Sequence, residues 1–156
     1  MSHEKYMRRA NQLAVQAAKK GNHPFGAVLV YRDEIIAEAE NTIKSDMDFT
    51  RHAELNLVVK ASNKYDREVL SESTLYASTA PCIMCAAAIK DVGITRVVYG
   101  VKYETFAEQV PGPYRYVSIE DIYKLLGKPL EAFGGVLEEE CLDSYEHWPK
   151  KSKHPS

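Results

Sequence analysis

Apolar positions in the first twenty residues recur at helical spacing. Tyr6, Ala10, Leu13, Ala14, Ala17 and Ala18 line one face of a helix predicted over Glu4–Lys20, with Lys and Arg on the other face. Gly21-Asn22 marks its stop, and Pro24 prevents continuation. Two strand-like runs follow, Phe25–Tyr31 and Glu34–Asn41. Arg32-Asp33 joins them as a two-residue connection compatible with a hairpin, although it lacks the glycine of the best such turns. Thr42–Thr50 is polar and predicts a loop. Arg51–Asn63 returns to helical spacing, with Ala53, Leu57, Val58 and Ala61 as its apolar face. After a charged stretch, Thr74–Thr79 predicts a strand, Cys82–Val92 an alanine-rich buried helix, and Arg96–Val101 another strand. A strand–helix–strand alternation implies a parallel crossover, hence an α/β fold with a mixed sheet and helices on both faces.

The pattern weakens beyond Val101. Lys102–Val117 is rich in Pro, Gly and Tyr and predicts a long functional loop. Ser118–Leu126 predicts a helix with Ser118 as N-cap and Asp121 three residues on, a relative of the capping box. Ala132–Leu137 is a candidate fifth strand and Glu138–Glu146 a final helix. Pro149–Ser156 is polar, and its three lysines predict a frayed, solvated tail.

Composition narrows the class. The 156 residues suit one domain, 1–156, whose core can bury roughly two-thirds of the unfolded surface without a disulfide or metal to hold it. Hydrophobic residues make up 45% and charged residues 27%, with 22 acidic against 20 basic side chains and a net charge of −2. That balance excludes a wholly disordered chain and disfavours a dedicated duplex-DNA binder. No apolar run approaches the ~18 residues of a membrane span. Met1–Ala10 is polar and charged, unlike a secretory signal. Three cysteines argue against a disulfide framework and for a reducing, cytoplasmic setting.

Two short segments carry the chemistry. One is His52-Ala53-Glu54; the other is Pro81-Cys82-Ile83-Met84-Cys85. Each falls at a predicted helix start. Cysteines at i and i+3 share one helix face, and the helix N-terminus favours thiolate, the form that zinc binds. One His and two Cys leave the fourth tetrahedral position open, the pattern of a catalytic zinc site. Glu54 need not ligate and is placed to carry protons. Either segment alone is weak: the cysteines could be buried core residues or a redox dithiol. H-x-E followed by P-C-x-x-C is, however, the signature of zinc nucleobase deaminases. Both parts are intact here and in order.

The sequence resembles the cytidine deaminase-like superfamily, in the branch of guanine, cytosine and tRNA adenosine deaminases. The resemblance runs from about Glu4 to Val101. It rests on His23-Pro24-Phe25-Gly26-Ala27-Val28, Asn41, Thr50-Arg51-His52-Ala53-Glu54, Ser78-Thr79-Ala80-Pro81-Cys82-Ile83-Met84-Cys85 and Arg96-Val97-Val98-Tyr99-Gly100. It implies a three-layer α-β-α sandwich around a five-stranded mixed sheet, with one Zn2+ per chain between two helix N-termini. It implies His52, Cys82 and Cys85 as zinc ligands and Glu54 as general acid/base. Asn41, Phe25 and the backbone of Ala53 match substrate-contacting positions, and Trp148 is the best lid candidate. A homodimer is implied as well, and in relatives the C-terminal segment can cross to a neighbouring subunit. Many relatives carry Glu where Ala80 stands. The Gly-rich segment that tRNA deaminases commonly place after the last matching strand is replaced by Val101-Lys102-Tyr103-Glu104-Thr105.

The activity implied is hydrolytic deamination of an amino-substituted purine or pyrimidine. A free small molecule such as guanine or cytosine, or a nucleoside, is favoured, because no basic stripe interleaved with aromatics is visible for a tRNA partner. The aromatics Tyr103, Phe106, Tyr114, Tyr116 and Trp148 in the less-matched third are candidates to cap the pocket. Two alternatives are a tRNA-specific adenosine deaminase and an inactive zinc-binding partner subunit. Such subunits typically lose the glutamate, and Glu54 is present.

Overall fold

The computed structural model describes residues 3–110 and 112–149. Its elements run α1 (His3–Lys19), β1 (Gly26–Tyr31), β2 (Glu34–Glu40), α2 (Ile43–Asp46), α3 (Ala53–Ser62), α4 (Arg67–Ser71), β3 (Thr74–Thr79), α5 (Ile83–Asp91), β4 (Arg96–Val101), α6 (Tyr103–Gln109), α7 (Ile119–Leu125), β5 (Glu131–Gly134) and α8 (Glu138–Asp143), ending in a 3-10 turn, Ser144–His147. The five strands form one mixed sheet in the order β2-β1-β3-β4-β5. β1 pairs antiparallel with both β2 and β3, whereas β3–β4 and β4–β5 are parallel. This is the α/β sandwich expected from the alternation of strands and helices.

The central strands read as near-continuous apolar runs because both their faces are covered. Ala27, Val28, Leu29, Leu75, Ala77, Val97 and Val101 are all fully buried. α1 packs on β1 and β3, and α8 on β4, while α3 packs on β1 and β2 with α5 beside it. The approach of α1 is close enough that a Cβ on Gly26 would collide with the Ala10 carbonyl oxygen and the Ala14 nitrogen. The hairpin turn forms without glycine: Arg32 and Asp33 both take the left-handed conformation, at φ 49° and 65°, as a type I′ turn demands. Tyr6 donates its hydroxyl proton to the Asp33 carbonyl at 2.8 Å and pins that turn to α1.

Five stretches depart from the sequence expectation. The polar 42–50 loop contains α2, and the charged stretch before β3 contains α4, capped by the Asp66 carboxylate, which accepts from the Val69 N–H at 3.1 Å. The first half of the expected 102–117 loop is helix α6, because Tyr103 and Phe106 bury on one face three residues apart. The fifth strand starts one residue earlier and ends three earlier than expected, at Gly134. α8 ends at Asp143 and tightens into the 3-10 turn. Ser118 caps α7 as expected, accepting from Asp121 N–H at 3.0 Å. The frayed tail expected over Pro149–Ser156 lies, beyond Pro149, outside the described residues. Among those described, no helix is long and apolar enough to cross a membrane.

Candidate active site

The site lies past the carboxyl end of β3, where open α/β sheets place their ligands. Two helices begin there. His52 is the N-cap residue of α3 and Cys82 that of α5, both with extended backbone. Cys85 follows one turn into α5 and is fully buried. Asn56 braces the approach to His52, its side-chain amide donating to the Glu40 carbonyl and Thr42 Oγ1, each at 3.0 Å.

The ligating atoms of His52, Cys82 and Cys85 lie within 4.8 Å of one another. His52 Nδ1 stands 3.4 Å from Cys82 Sγ and 3.6 Å from Cys85 Sγ. Tetrahedral zinc with Zn–S near 2.3 Å and Zn–N near 2.0–2.1 Å requires an N–S separation of ~3.5 Å. The donor set therefore fits zinc in both chemistry and spacing. The sulfurs are electronically prepared for it. The hydrogen bond from Cys85 and the neighbouring His52 bring Cys82 down to about 4. The same bond and burial push Cys85 up. One of the two facing sulfurs thus gives up its proton far more readily than the other, and a dication held between them would favour the thiolate at both. His52 is drawn down by burial but held upward in net by the bond and charge of Cys82.

Glu54 sits one turn inside the same site, buried to 7% exposure. Burial pushes its carboxyl up to about 7, with the Cys82 charge acting in the same direction. A carboxyl with that affinity can both accept and return a proton near neutral pH.

A cavity of about 30 Å³ opens beside these groups, lined by Phe25, His52, Glu54, Thr79, Ala80, Cys82, Phe106 and Tyr114. A hollow of about 200 Å³ adjoins it and shares Cys82 and Tyr114; the larger one of about 560 Å³ over Glu40, Asp48 and Lys60 is wide and shallow and holds none of the metal-binding groups. Thr79 Oγ1 is hydrogen-bonded to the Tyr145 hydroxyl at 2.7 Å. The Tyr145 ring meets Phe25 and Phe106 edge-on at 6.1 and 6.2 Å.

The remaining residues expected from the sequence take different places. Phe25 lines the cavity. Ala53 is the fully buried first residue of α3. Asn41 is fully buried; its Oδ1 accepts from the Ile43 N–H at 3.1 Å, and its Nδ2 has no hydrogen-bond partner among the described residues. The carbonyl side of Asn41 is thus occupied, and its amide N–H groups are the ones left to give. Trp148 is not among the cavity-lining residues. It packs behind Phe25 at 5.3 Å and against His23 at 5.4 Å, within its own chain. Of the aromatics after Val101, Phe106 and Tyr114 reach the cavity. Thr79 and Tyr145 were not anticipated. Thr79 lay inside a recognised motif, but nothing local marked Tyr145.

The model of the cytidine and deoxycytidylate deaminase zinc-binding region matches residues 1–101. The chain belongs to this family. It is a zinc-binding deaminase, and the match ends at the last residue of β4. A probable cytosine deaminase of Schizosaccharomyces pombe is 36% identical over 142 residues, covering 88% of the deaminase and 86% of that relative. The guanine deaminase of Bacillus subtilis is 34% identical over 155 residues, covering 95% and 94%. The chain spans half the length of the tRNA-specific adenosine deaminase 2 of Danio rerio. A structure solved in a study of A-to-I editing by tRNA:A34 deaminases superposes with a TM-score of 0.73 at 27% identity, covering 90% of the deaminase and 98% of that chain.

Proposed function

We propose that this deaminase releases ammonia from a small amino-substituted purine or pyrimidine, a free base such as guanine or cytosine or its nucleoside. The observation that carries the proposal is the enclosure of the site. Phe25, Phe106 and Tyr114 wall the space beside Glu54 down to about 30 Å³, room for one or two waters. Flat aromatic walls suit a planar heterocycle, and a ring enters only when one wall yields. Tyr114 is that wall, because the 112–117 segment around it is exposed.

His52, Cys82 and Cys85 hold the zinc in this proposal. Bound there, zinc supplies Lewis-acid activation of a water molecule, lowering its pKa toward ~7. Glu54 accepts the proton that this water gives up and delivers it to the ring nitrogen beside the amino-bearing carbon. The hydroxide so formed adds to that carbon, and Glu54 carries the proton of the new hydroxyl to the amino group, which departs as ammonia. The amino group thus leaves as ammonia and a carbonyl replaces it, with one carboxylate acting as base and then acid. Phe25, Phe106 and Tyr114 sandwich the ring. The unpartnered Asn41 Nδ2 and the Ala53 backbone N–H are the donors assigned to its carbonyl or nitrogen edge, and Trp148 backs Phe25. A homodimer completes the proposal, with exposed Met47, Phe49 and Ile83 as its apolar contacts.

An ammonia-release screen tests this against guanine, cytosine, adenine, their nucleosides and a tRNA anticodon stem-loop. Turnover of a base or nucleoside is expected. Turnover confined to the stem-loop overturns the substrate class.

A further inference from the structure

We propose that Tyr103 is a positioning residue for the metal centre, acting through the Pro81 carbonyl to fix the turn that presents Cys82. The inference rests on the reading of His52, Cys82 and Cys85 as zinc ligands and goes beyond it, because Tyr103 lies outside the family match at 1–101.

Tyr103 opens α6 and is buried. Its hydroxyl donates to the Pro81 carbonyl at 2.5 Å and accepts the Ile119 N–H at 2.9 Å. Ile119 is the first residue of α7, so its N–H is one of the helix-start donors with no acceptor inside the helix. Pro81 directly precedes Cys82, the N-cap of α5. One hydroxyl therefore satisfies a carbonyl beside one helix start and an amide at another. The alternatives for holding the turn are few. Ala80 N–H reaches the Val101 carbonyl at 2.8 Å, and the Cys82 carbonyl accepts from Ala86 N–H at 2.8 Å. Pro81 itself has no N–H to offer. The bond from Tyr103 is the one that restrains the peptide linking Pro81 to Cys82.

The ring carries a second connection. Tyr116 stacks on it at 5.1 Å and 18°, and Tyr99 meets it edge-on at 5.6 Å. Tyr99 in turn donates to the Glu120 carboxylate at 2.8 Å. The exposed 112–117 segment and the start of α7 are thereby joined to the Cys82 turn through a single side chain. Zinc tolerates ligand displacements of only a few tenths of an ångström, so a turn free to rock swings Cys82 Sγ out of range.

The test compares Tyr103→Phe with Tyr123→Phe. Tyr123 is equally buried, and its hydroxyl donates to the Ile94 carbonyl at 2.6 Å, away from the metal-binding groups. Each variant loses one buried hydroxyl–carbonyl bond, and Tyr103→Phe also loses the bond from the Ile119 N–H. Zinc release to a chelator is expected at least ~10-fold faster in Tyr103→Phe than in wild type, with Tyr123→Phe matching wild type. The cobalt-substituted protein should show a shifted thiolate-to-metal absorption band in Tyr103→Phe only. Equal release rates and identical spectra in the two variants overturn the inference and leave Tyr103 a structural residue. Should Tyr103→Phe fail to fold, Tyr116→Ala, which removes the stacked ring from an exposed position, is expected to accelerate zinc release in the same direction by a smaller factor; no acceleration overturns the inference. Wild-type protein that purifies and reconstitutes without zinc defeats the ligand assignment itself, a different result from equal behaviour of the variants.

Discussion

His52 Nδ1 lies 3.4 Å from Cys82 Sγ, although 30 positions separate the two residues in the chain. Each is the N-cap residue of its own helix, α3 or α5, so two helix starts are aimed at one point. The partial positive charge of both termini falls on the same sulfurs, which is where anionic ligands are wanted. Glu54 and Cys85 follow within the first turn of each helix, so the whole proposed catalytic set is carried on rigid elements. Its accuracy is that of the contact between α3 and α5.

Replacing Glu54 by Gln or Ala should separate metal binding from turnover. Both variants are expected to keep about one zinc per chain, because Glu54 is not among the three grouped ligands. Ammonia release should fall by at least ~10²–10⁴-fold, the usual worth of a positioned acid/base group. Metal analysis and a turnover assay on the same sample check it. Activity near wild type in either variant would remove Glu54 from the mechanism.

Removal of the metal should abolish turnover and spare the fold. The core of Leu29, Leu75, Tyr76, Ile89 and Val97 is closed without any group from the metal centre. Protein stripped by a chelator is therefore expected to keep its far-UV circular dichroism, lose ammonia release, and regain it when zinc is added back. Cys85→Ser should behave like the stripped protein and resist rescue. Unfolding on chelation would make the zinc structural.

Tyr145→Phe deletes the bond to Thr79 that backs the cavity. The loss of one buried hydrogen bond costs about 1 kcal/mol of stability, readable as a lowered urea midpoint. Because Thr79 and Phe25 form one wall with Tyr145, KM should rise more than kcat falls. Trp148→Ala, which leaves that bond in place but removes the ring contacts to Phe25 and Tyr145, should also raise KM. A Tyr145→Phe enzyme with unchanged KM would show the wall to be self-supporting.

Acid sensitivity should trace in part to Arg9 and Glu38. The guanidinium grips the carboxylate with two bonds, at 2.6 and 2.9 Å. The hydrogen bond from Arg9 lowers the Glu38 pKa below its ordinary 4.5. A depressed carboxyl contributes stability above the unfolded-state value and loses it as pH falls through the folded one. The contribution is therefore present at neutral pH, begins to fall below about 4.5 and is lost as the pH drops through the lowered folded-state value. Both side chains are about one-third exposed, so solvent screening limits the pair to roughly 1 kcal/mol or less. Urea titrations of wild type and Glu38→Gln should differ at pH 7 and draw together as the pH falls below 4.5. A constant difference across that range would mean that the charge is not what the substitution removes.

Cys141, the cysteine outside the metal centre, is explained by packing. Its sulfur fills the space over Gly100, where an added Cβ would come within 2.6 Å of Sγ and 2.7 Å of the Ser78 carbonyl oxygen. Burial pushes its thiol up to about 12, with Glu140 and Glu138 adding to the effect, so it stays protonated and inert. Composition alone could say only that one cysteine was left over.

The strands and the longer helices up to Val101 were legible because their apolar faces are long enough to repeat, whereas α2 and α4, at four and five residues, are too short to show a period. α1 shows the helical period over seventeen residues and β1 buries five successive residues, Gly26–Val30, as a central strand should. α6 was missed because seven residues give barely two turns, and Pro and Gly beyond it dominated the local composition. The metal ligands and Glu54 were legible for another reason. Zinc chemistry demands particular side chains, and the starts of two helices supply them within short motifs.

Taken by itself, the sequence determined the order of the strands and the longer helices, the candidate ligand types and the deaminase family, since periodicity and motif spacing are properties of neighbouring residues. Only the tertiary structure decided what encloses the reaction. The bond from Tyr145 to Thr79 spans 66 residues and that from Tyr103 to Pro81 spans 22. Trp148 stands behind Phe25 rather than in the cavity for the same reason. Such contacts exist because the sheet brings β3, α6 and the C-terminal turn to one end. No local pattern records them, because the free energy that selects them comes from burying those side chains together.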